Sequence, residues 1–287
     1  MVVLISAIVT AAGNVCLDYA MIFGHWGSPE LGLEGAAYAS TIADGIGMLF
    51  LITALSLSKK RKEHQLYTQL RYNYASFKRL LKIGTPIMLQ GLVALITWTI
   101  FFIWIEQMGR YELTVSQNIR SIYFLAFVPI WGFAGTAKTY VSQYVGNKSF
   151  KDVKIVQRKI QFLTVLFLLV IFHGSVLYPE ALIKIINPHP AYLKGSAEIL
   201  RYVSGSILVY GISNVYFQTI NGSGNTRYTF YIEAISVGIY LLLAFVLIKV
   251  FKLDIYWIWT VEYAYFITAG LLSLGYLTFF NWQKKTI

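Results

Sequence analysis

The sequence predicts an all-α membrane protein, a polytopic transmembrane helix bundle of about eight spans, on three observations. Of its 287 residues, 57% are hydrophobic and only 13% charged, with a mean hydropathy of +0.59. A chain this apolar has too little polar surface to coat a water-soluble globule. Its apolar residues fall in long runs, each near the roughly 20 residues a helix needs to cross a bilayer core. Its basic residues fall in the short gaps between those runs, where they act as orientation signals. That placement disposes of another reading of the net charge of +11. A nucleic-acid binder needs a basic patch on a folded soluble surface, so the expected partner is the lipid bilayer and not nucleic acid.

The runs lie near 1–23, 33–57, 83–108, 114–145, 157–179, 200–221, 229–250 and 255–280. The first has no basic start and carries Asn14 and Asp18, so it reads as a span and not as a cleaved signal peptide. It also holds Cys16, the single cysteine, which rules out a disulfide framework or a CxxC metal pair and reads as a small buried apolar residue. The gap from Ser58 to Lys82 holds Lys59, Lys60, Arg61, Lys62, Arg71, Lys78, Arg79 and Lys82. The gap after Gly146 holds Lys148, Lys151, Lys154, Arg158 and Lys159. Short loops this basic stay in the cytoplasm. Alternation from there places Arg227, Lys284 and Lys285 inside as well, with both termini cytoplasmic in a bacterial inner membrane. The Asn-X-Ser sequences at Asn147 and Asn221 then lie on the inner side and carry no glycosylation meaning. Trp26, Trp257 and Trp282 fall near the expected interfaces, whereas Trp98, Trp104 and Trp131 do not all fit an aromatic belt.

The 58–82 gap is the one long hydrophilic segment. Leu66, Leu70, Tyr74, Phe77, Leu80 and Leu81 recur at helical spacing among its basic residues. Two readings stand: an interfacial helix on the inner leaflet, or a solvated connector that fixes topology. Either way the chain divides into two helices over 1–57, a basic cytoplasmic linker over 58–82 and six helices over 83–287.

An ionisable group within hydrocarbon is costly unless it is paired or faces water, so intramembrane charges are the first candidates for function. Lys138 can snorkel inward, and Asp18 and Glu106 lie near outer ends. Asp44 falls midway along its run and Glu262 about two turns into the last, where a partner or cavity is needed. Arg120, a few turns from Pro129, either neutralises a carboxylate or snorkels outward. Glu233 sits about a turn from an inner end. The uncharged candidates are Gln90, Asn118, Asn214 and Gln218, amides that serve as interhelical hydrogen bonds or as substrate contacts. Gly84 with Pro86, and Pro129 with Gly132, can kink helices beside a cavity. No enzyme constellation appears. His25, His64, His173 and His189 lack metal-ligand spacing, the serines lack a matched base, and Gly222 and Gly224 are not followed by the Gly-Lys-Ser/Thr of a phosphate loop. No cofactor or bound metal is expected.

Several blocks together resemble the multidrug and toxic compound extrusion (MATE) transporters. Asn14 to Asp18 with Ile22 to Gly24 and Pro29 to Gly32 is similar to the end of the family's fifth helix, and Gly35 to Thr41 to the start of its sixth. Gly84 to Gln90 resembles the opening of helix seven. Val115 to Ser121, Pro129 to Gly132 and Ser142 to Gly146 resemble helix eight, and Phe217 to Thr226 the loop closing helix ten. The resemblance implies a two-lobe architecture with most of the N-lobe missing: helices five to twelve are present and the first four would be partners from outside this sequence. It also implies antiport export of small organic cations or drugs in exchange for protons or sodium. A lipid-linked oligosaccharide flippase of the same superfamily is the alternative, to which Arg120 and Lys138 would suit a pyrophosphate. The sequence departs from the pattern at Ala94, aligned with a helix-seven Glu of many sodium-coupled members. The acids that match the family are instead Glu233 and Glu262.

The orientation is testable on a Cys16→Ser background carrying single introduced thiols. The 58–82 and 146–159 segments should resist an impermeant thiol reagent in intact cells, and the 179–200 segment should react. Labelling of the 58–82 segment would reverse the topology.

Overall fold

The computed structural model describes residues 2–58 and 73–284. The chain divides into two compact units, Met1–Asn73 and Tyr74–Ile287, each taken by itself below.

The first unit is a helical pair, α1 (Val2–Phe23) and α2 (Gly32–Leu57). Its packing is written in small residues. Gly35, Ala39, Ala43 and Gly47 recur every four residues and are the buried positions of α2. Such a stripe lets two helix backbones approach closely where lipid supplies no hydrophobic drive for association. A Cβ added at Gly35 would stand 2.4 Å from the carbonyl oxygen of Met21. Across the same seam the Ser6 hydroxyl donates to the Gly47 carbonyl at 3.3 Å.

The second unit contains α3 (Tyr74–Glu106), α4 (Arg110–Gly146), α5 (Phe150–Ile171), two short helices α6 (Gly174–Leu177) and α7 (Pro179–Ile186), α8 (Pro190–Gly222), α9 (Thr226–Phe245) with a π turn over Val246–Val250, α10 (Ile255–Ile258) and α11 (Val261–Phe279). Helices are the solution available here because each satisfies its backbone donors and acceptors internally, which lipid cannot do. Pro86 and Pro129 sit inside α3 and α4, leaving the carbonyls of Lys82 and Leu125 without their usual donors. The core lies between α3, α4, α8 and the α10–α11 corner, around Phe101, Ile119, Tyr123, Ile207 and Trp259. α8 is the most enclosed helix. Ser204 and Thr219 return their hydroxyls to its own backbone, at 2.6 Å to the Leu200 carbonyl and 2.8 Å to that of Val215.

Every expected run is helical, and the bundle is an all-α membrane protein. Among the described residues, five helices are long and apolar enough to cross a membrane: Val2–Phe23, Gly32–Leu57, Tyr74–Glu106, Arg110–Gly146 and Thr226–Val250. α5, α8 and α11, at the other expected spans, carry more charged, hydroxyl or tyrosine side chains.

Four boundaries differ from expectation. The run expected over 157–179 is helical from Phe150 and stops at Ile171, where the short helices α6 and α7 follow. α3 begins at Tyr74 instead of 83, so Lys78, Arg79 and Lys82 ride on the same helix as Gln90; Leu66 and Leu70 lie outside the described residues. α8 begins at Pro190 instead of 200, with proline in the first turn, where its missing N–H costs nothing. The last run is broken at Trp259 and Thr260, because the buried Trp259 indole donates to Ser116 Oγ at 3.1 Å and pins the corner to α4. Glu262 therefore stands in the first turn of α11, not two turns into a continuous helix.

At the α4–α8 contact a Cβ on Gly222 would meet the backbone carbonyl oxygen of Lys138 at 2.6 Å. Backbone cannot yield as a side chain does, so Gly222→Ala should destabilise the unit by about 1–3 kcal/mol. Gly132→Ala, where nothing lies within 4 Å, should leave stability unchanged or raised. Thermal unfolding in detergent checks both, and equal melting temperatures for Gly222→Ala and the parent would contradict this packing.

Candidate functional site

α3, α4, α8, α9 and α11 enclose two adjoining clefts in the second unit. The larger, about 660 Å³, is walled by Trp98, Phe102, Phe124, Phe127 and Trp131, with Glu106, Gln117 and Arg120 as its polar groups. The smaller, about 260 Å³, carries Gln90, Ser213, Asn214, Gln218 and Glu233. Ala94, Trp131, Tyr210, Tyr265 and Phe266 line both. The aromatic space thus runs directly into the polar one.

Glu233 is 6% exposed and lies on the wall of the smaller cleft, where the Tyr265 hydroxyl donates to its Oε1 at 2.6 Å. Glu262 is 1% exposed and lines neither cleft; its Oε1 accepts from the Tyr240 hydroxyl at 3.0 Å. The Tyr240 and Tyr265 rings meet edge to face with centroids 5.8 Å apart, so the two acids are joined through touching aromatic partners. Neither acid has a cationic partner among the described residues. α9 delivers Glu233 because Gln90 ties α9 to α3: its Nε2 donates to Thr229 Oγ1 at 2.6 Å and to the Thr226 carbonyl at 3.2 Å.

The remaining candidates fall in different places. Asn214 and Gln218 share the cleft with Glu233; the Asn214 side chain makes no hydrogen bond among the described residues, and Gln218 Oε1 accepts from Asn221 at 3.1 Å. Arg120 lines the larger cleft, its guanidinium 5.2 Å from the Phe102 centroid and 5.8 Å from that of Phe124. Among the described residues its guanidinium makes one hydrogen bond, a long one of 3.4 Å to Gln117 Oε1. Asn118 lies outside both clefts and links α4 to α8, donating to Ser196 Oγ at 3.0 Å. Asp44 is in the first unit, exposed on α2. Asp18, in the same unit, has a buried Oδ1 without a hydrogen-bond partner among the described residues. No group of three potential metal ligands occurs among the described residues.

Sequence reasoning missed the aromatic wall, above all Tyr265 and Tyr210. The usable signal was that Trp98, Trp104 and Trp131 do not all fit an aromatic belt; Trp98 and Trp131 stand on the larger cleft. Trp131 donates its indole N–H to the Tyr210 hydroxyl at 2.9 Å. Ala94, which replaces an expected acid, lies on the wall common to both clefts. The acid on the smaller cleft, Glu233, comes from α9 instead.

Residues 86–246 match the family model MatE, more than half of the chain, and the chain belongs to the MatE family. It is 29% identical over 277 residues to the "Probable multidrug resistance protein NorM" of Thermotoga maritima, covering 96% of this chain and 59% of that protein. With the "Probable multidrug resistance protein YoeA" of Bacillus subtilis it shares 23% over 286 residues, 98% of this chain and 61% of the relative. The chain thus spans about three-fifths of the length of these two curated relatives. A mutant of the Vibrio cholerae MATE transporter VcmN superposes with a TM-score of 0.81 at 18% identity, over 98% of this chain and 63% of that one. A MOP superfamily transporter from Pyrococcus furiosus, described as having a binding pocket of reverse polarity, gives 0.84 at 16% identity, with the same two coverages.

Proposed function

We propose that the protein is a secondary active transporter that exports organic cations or drugs by antiport against protons or sodium ions, working as part of a longer two-lobed protein. The observation that carries this reading is Glu233 on the wall of a cleft continuous with an aromatic one, with no cationic partner among the described residues. Aromatic faces hold an organic cation through their quadrupoles, and the carboxylate supplies the opposite charge. A proton or sodium ion on Glu233 removes that charge; its release restores it. The two ligands then compete through one electrostatic switch, and alternating access converts the competition into exchange. Glu262, held by Tyr240 away from the clefts, is the second acid available to a coupling ion. Asp44 is assigned to the part of the substrate path contributed by the N-lobe. The chain would lie in a bacterial inner membrane with both termini cytoplasmic. No catalytic role is assigned to it.

One observation favours a second reading. Arg120 faces the larger cleft without an acidic partner among the described residues, and a guanidinium there would hold a phosphate. That would suit a lipid-linked oligosaccharide flippase.

Gradient-driven ethidium efflux from proteoliposomes distinguishes the readings, with the chain extended by four upstream spans taken from the NorM relative. The antiport reading predicts efflux under a proton or sodium gradient. It also predicts at least about a tenfold loss in Glu233→Gln, the scale of one misplaced charge, and little change in Arg120→Gln. Full efflux in Glu233→Gln would contradict it, and dependence on Arg120 alone would favour the flippase.

A further inference from the structure

A third cleft, of about 630 Å³, lies where the first turns of α3 and α9 come together. Its lining holds four cations, Lys78, Arg79 and Lys82 from α3 and Arg227 from α9, and no acidic residue among the described residues. None of the four is in an ion pair among the described residues. Orientation of a membrane protein requires only that basic residues remain in a cytoplasmic gap. It does not require that residues far apart in sequence be folded around one cavity, nor that the described lining lack any carboxylate. Like charges so placed repel one another, and an anion between them relieves that repulsion.

Two further features suit an anion. Asn225, at the head of α9, does not cap the helix. Its side-chain amide donates instead to Ser223 Oγ at 2.9 Å and to the Trp282 carbonyl at 3.2 Å. Gly224, Asn225 and Thr226 line the cleft, so the positive end of the α9 dipole faces it. Beside the cations, Leu80 and Leu81 are exposed on α3, giving apolar surface next to polar. A charged cavity edged with hydrocarbon-facing side chains, at the membrane surface that the basic gaps assign to the cytoplasm, fits a ligand that is itself anionic at one end and apolar at the other.

We propose that this cleft binds the phosphate headgroup of an anionic phospholipid of the inner leaflet. The guanidinium groups of Arg79 and Arg227 and the ammonium groups of Lys78 and Lys82 hold the phosphate, and the acyl chains lie along α3. The site is separate from the two clefts of the proposed transport path and does not depend on the transport reading.

The test is native mass spectrometry of the purified chain in mixed micelles, titrated with dioleoylphosphatidylglycerol or dioleoylphosphatidylcholine. Phosphatidylglycerol should be retained in preference to phosphatidylcholine. Lys78→Gln/Arg79→Gln/Lys82→Gln/Arg227→Gln should weaken phosphatidylglycerol binding at least about tenfold, while Lys148→Gln/Lys151→Gln/Lys154→Gln, of nearly equal charge change in the next basic gap, should stay within about twofold of the parent. Arg227→Gln alone, with its melting temperature checked in phosphatidylcholine micelles, should weaken binding in the same direction and covers the case in which the fourfold variant fails to fold. Three outcomes overturn the proposal: equal retention of the two lipids, equal losses in the two multiple variants, or displacement of phosphatidylglycerol by inorganic phosphate at matched ionic strength, which would make the ligand a soluble anion.

Discussion

Hydrocarbon accepts no hydrogen bonds, and this constraint governs most of what the second unit does with its polar atoms. The helices take care of the backbone. Buried polar side chains must find partners on neighbouring helices, and in doing so they fix which helices touch and at what height. Gln90 binds α3 to α9, Asn118 binds α4 to α8, and Trp259 binds the α10–α11 corner to Ser116 of α4. Tyr123 reaches from α4 to the Val203 carbonyl of α8 at 3.1 Å. Each such bond contributes on the order of 1 kcal/mol, so their importance lies less in total stability than in register. Small residues then allow the close approach that these short side chains need, as Gly222 does against Lys138.

The acids follow the same constraint with a different outcome. Glu262 is sealed in the core with a tyrosine hydroxyl, whereas Glu233 holds its tyrosine at the edge of a cavity. Both obey the requirement for a hydrogen-bond donor. Only one is placed where an entering ligand can reach it. Tyr265 completes the arrangement: its ring belongs to both clefts and its hydroxyl to Glu233, so the state of the carboxylate and the shape of the aromatic space share a residue.

The helices were legible in the sequence because a run of apolar residues long enough to cross a bilayer has few other uses. Their ends were less legible. Lys78, Arg79 and Lys82 read as a linker, yet charge alone does not stop a helix, and α3 continues through them. The break at Trp259 depends on a hydrogen bond to a residue on α4, which no local pattern announces. Depth along a run singled out Gln90, Asn214 and Gln218, which meet Glu233 on one cleft; Glu233 itself lies near an inner end and was marked only by the family resemblance, and depth equally singled out Asn118, which bonds away from the cleft. The aromatic wall was hidden because tyrosine and tryptophan inside apolar runs look like ordinary core. Only side-chain direction separates Trp131, on a cleft, from Trp259, fully buried.

The central claim is that one carboxylate serves two cations in turn. Equilibrium binding of tetraphenylphosphonium to the purified chain, followed by tryptophan fluorescence across a pH and sodium titration, tests it most directly, since Trp98 and Trp131 line the cleft. The account predicts that added protons or sodium weaken tetraphenylphosphonium binding in the parent. In Glu233→Gln that dependence should flatten. An unchanged dependence in Glu233→Gln would contradict the shared-site account.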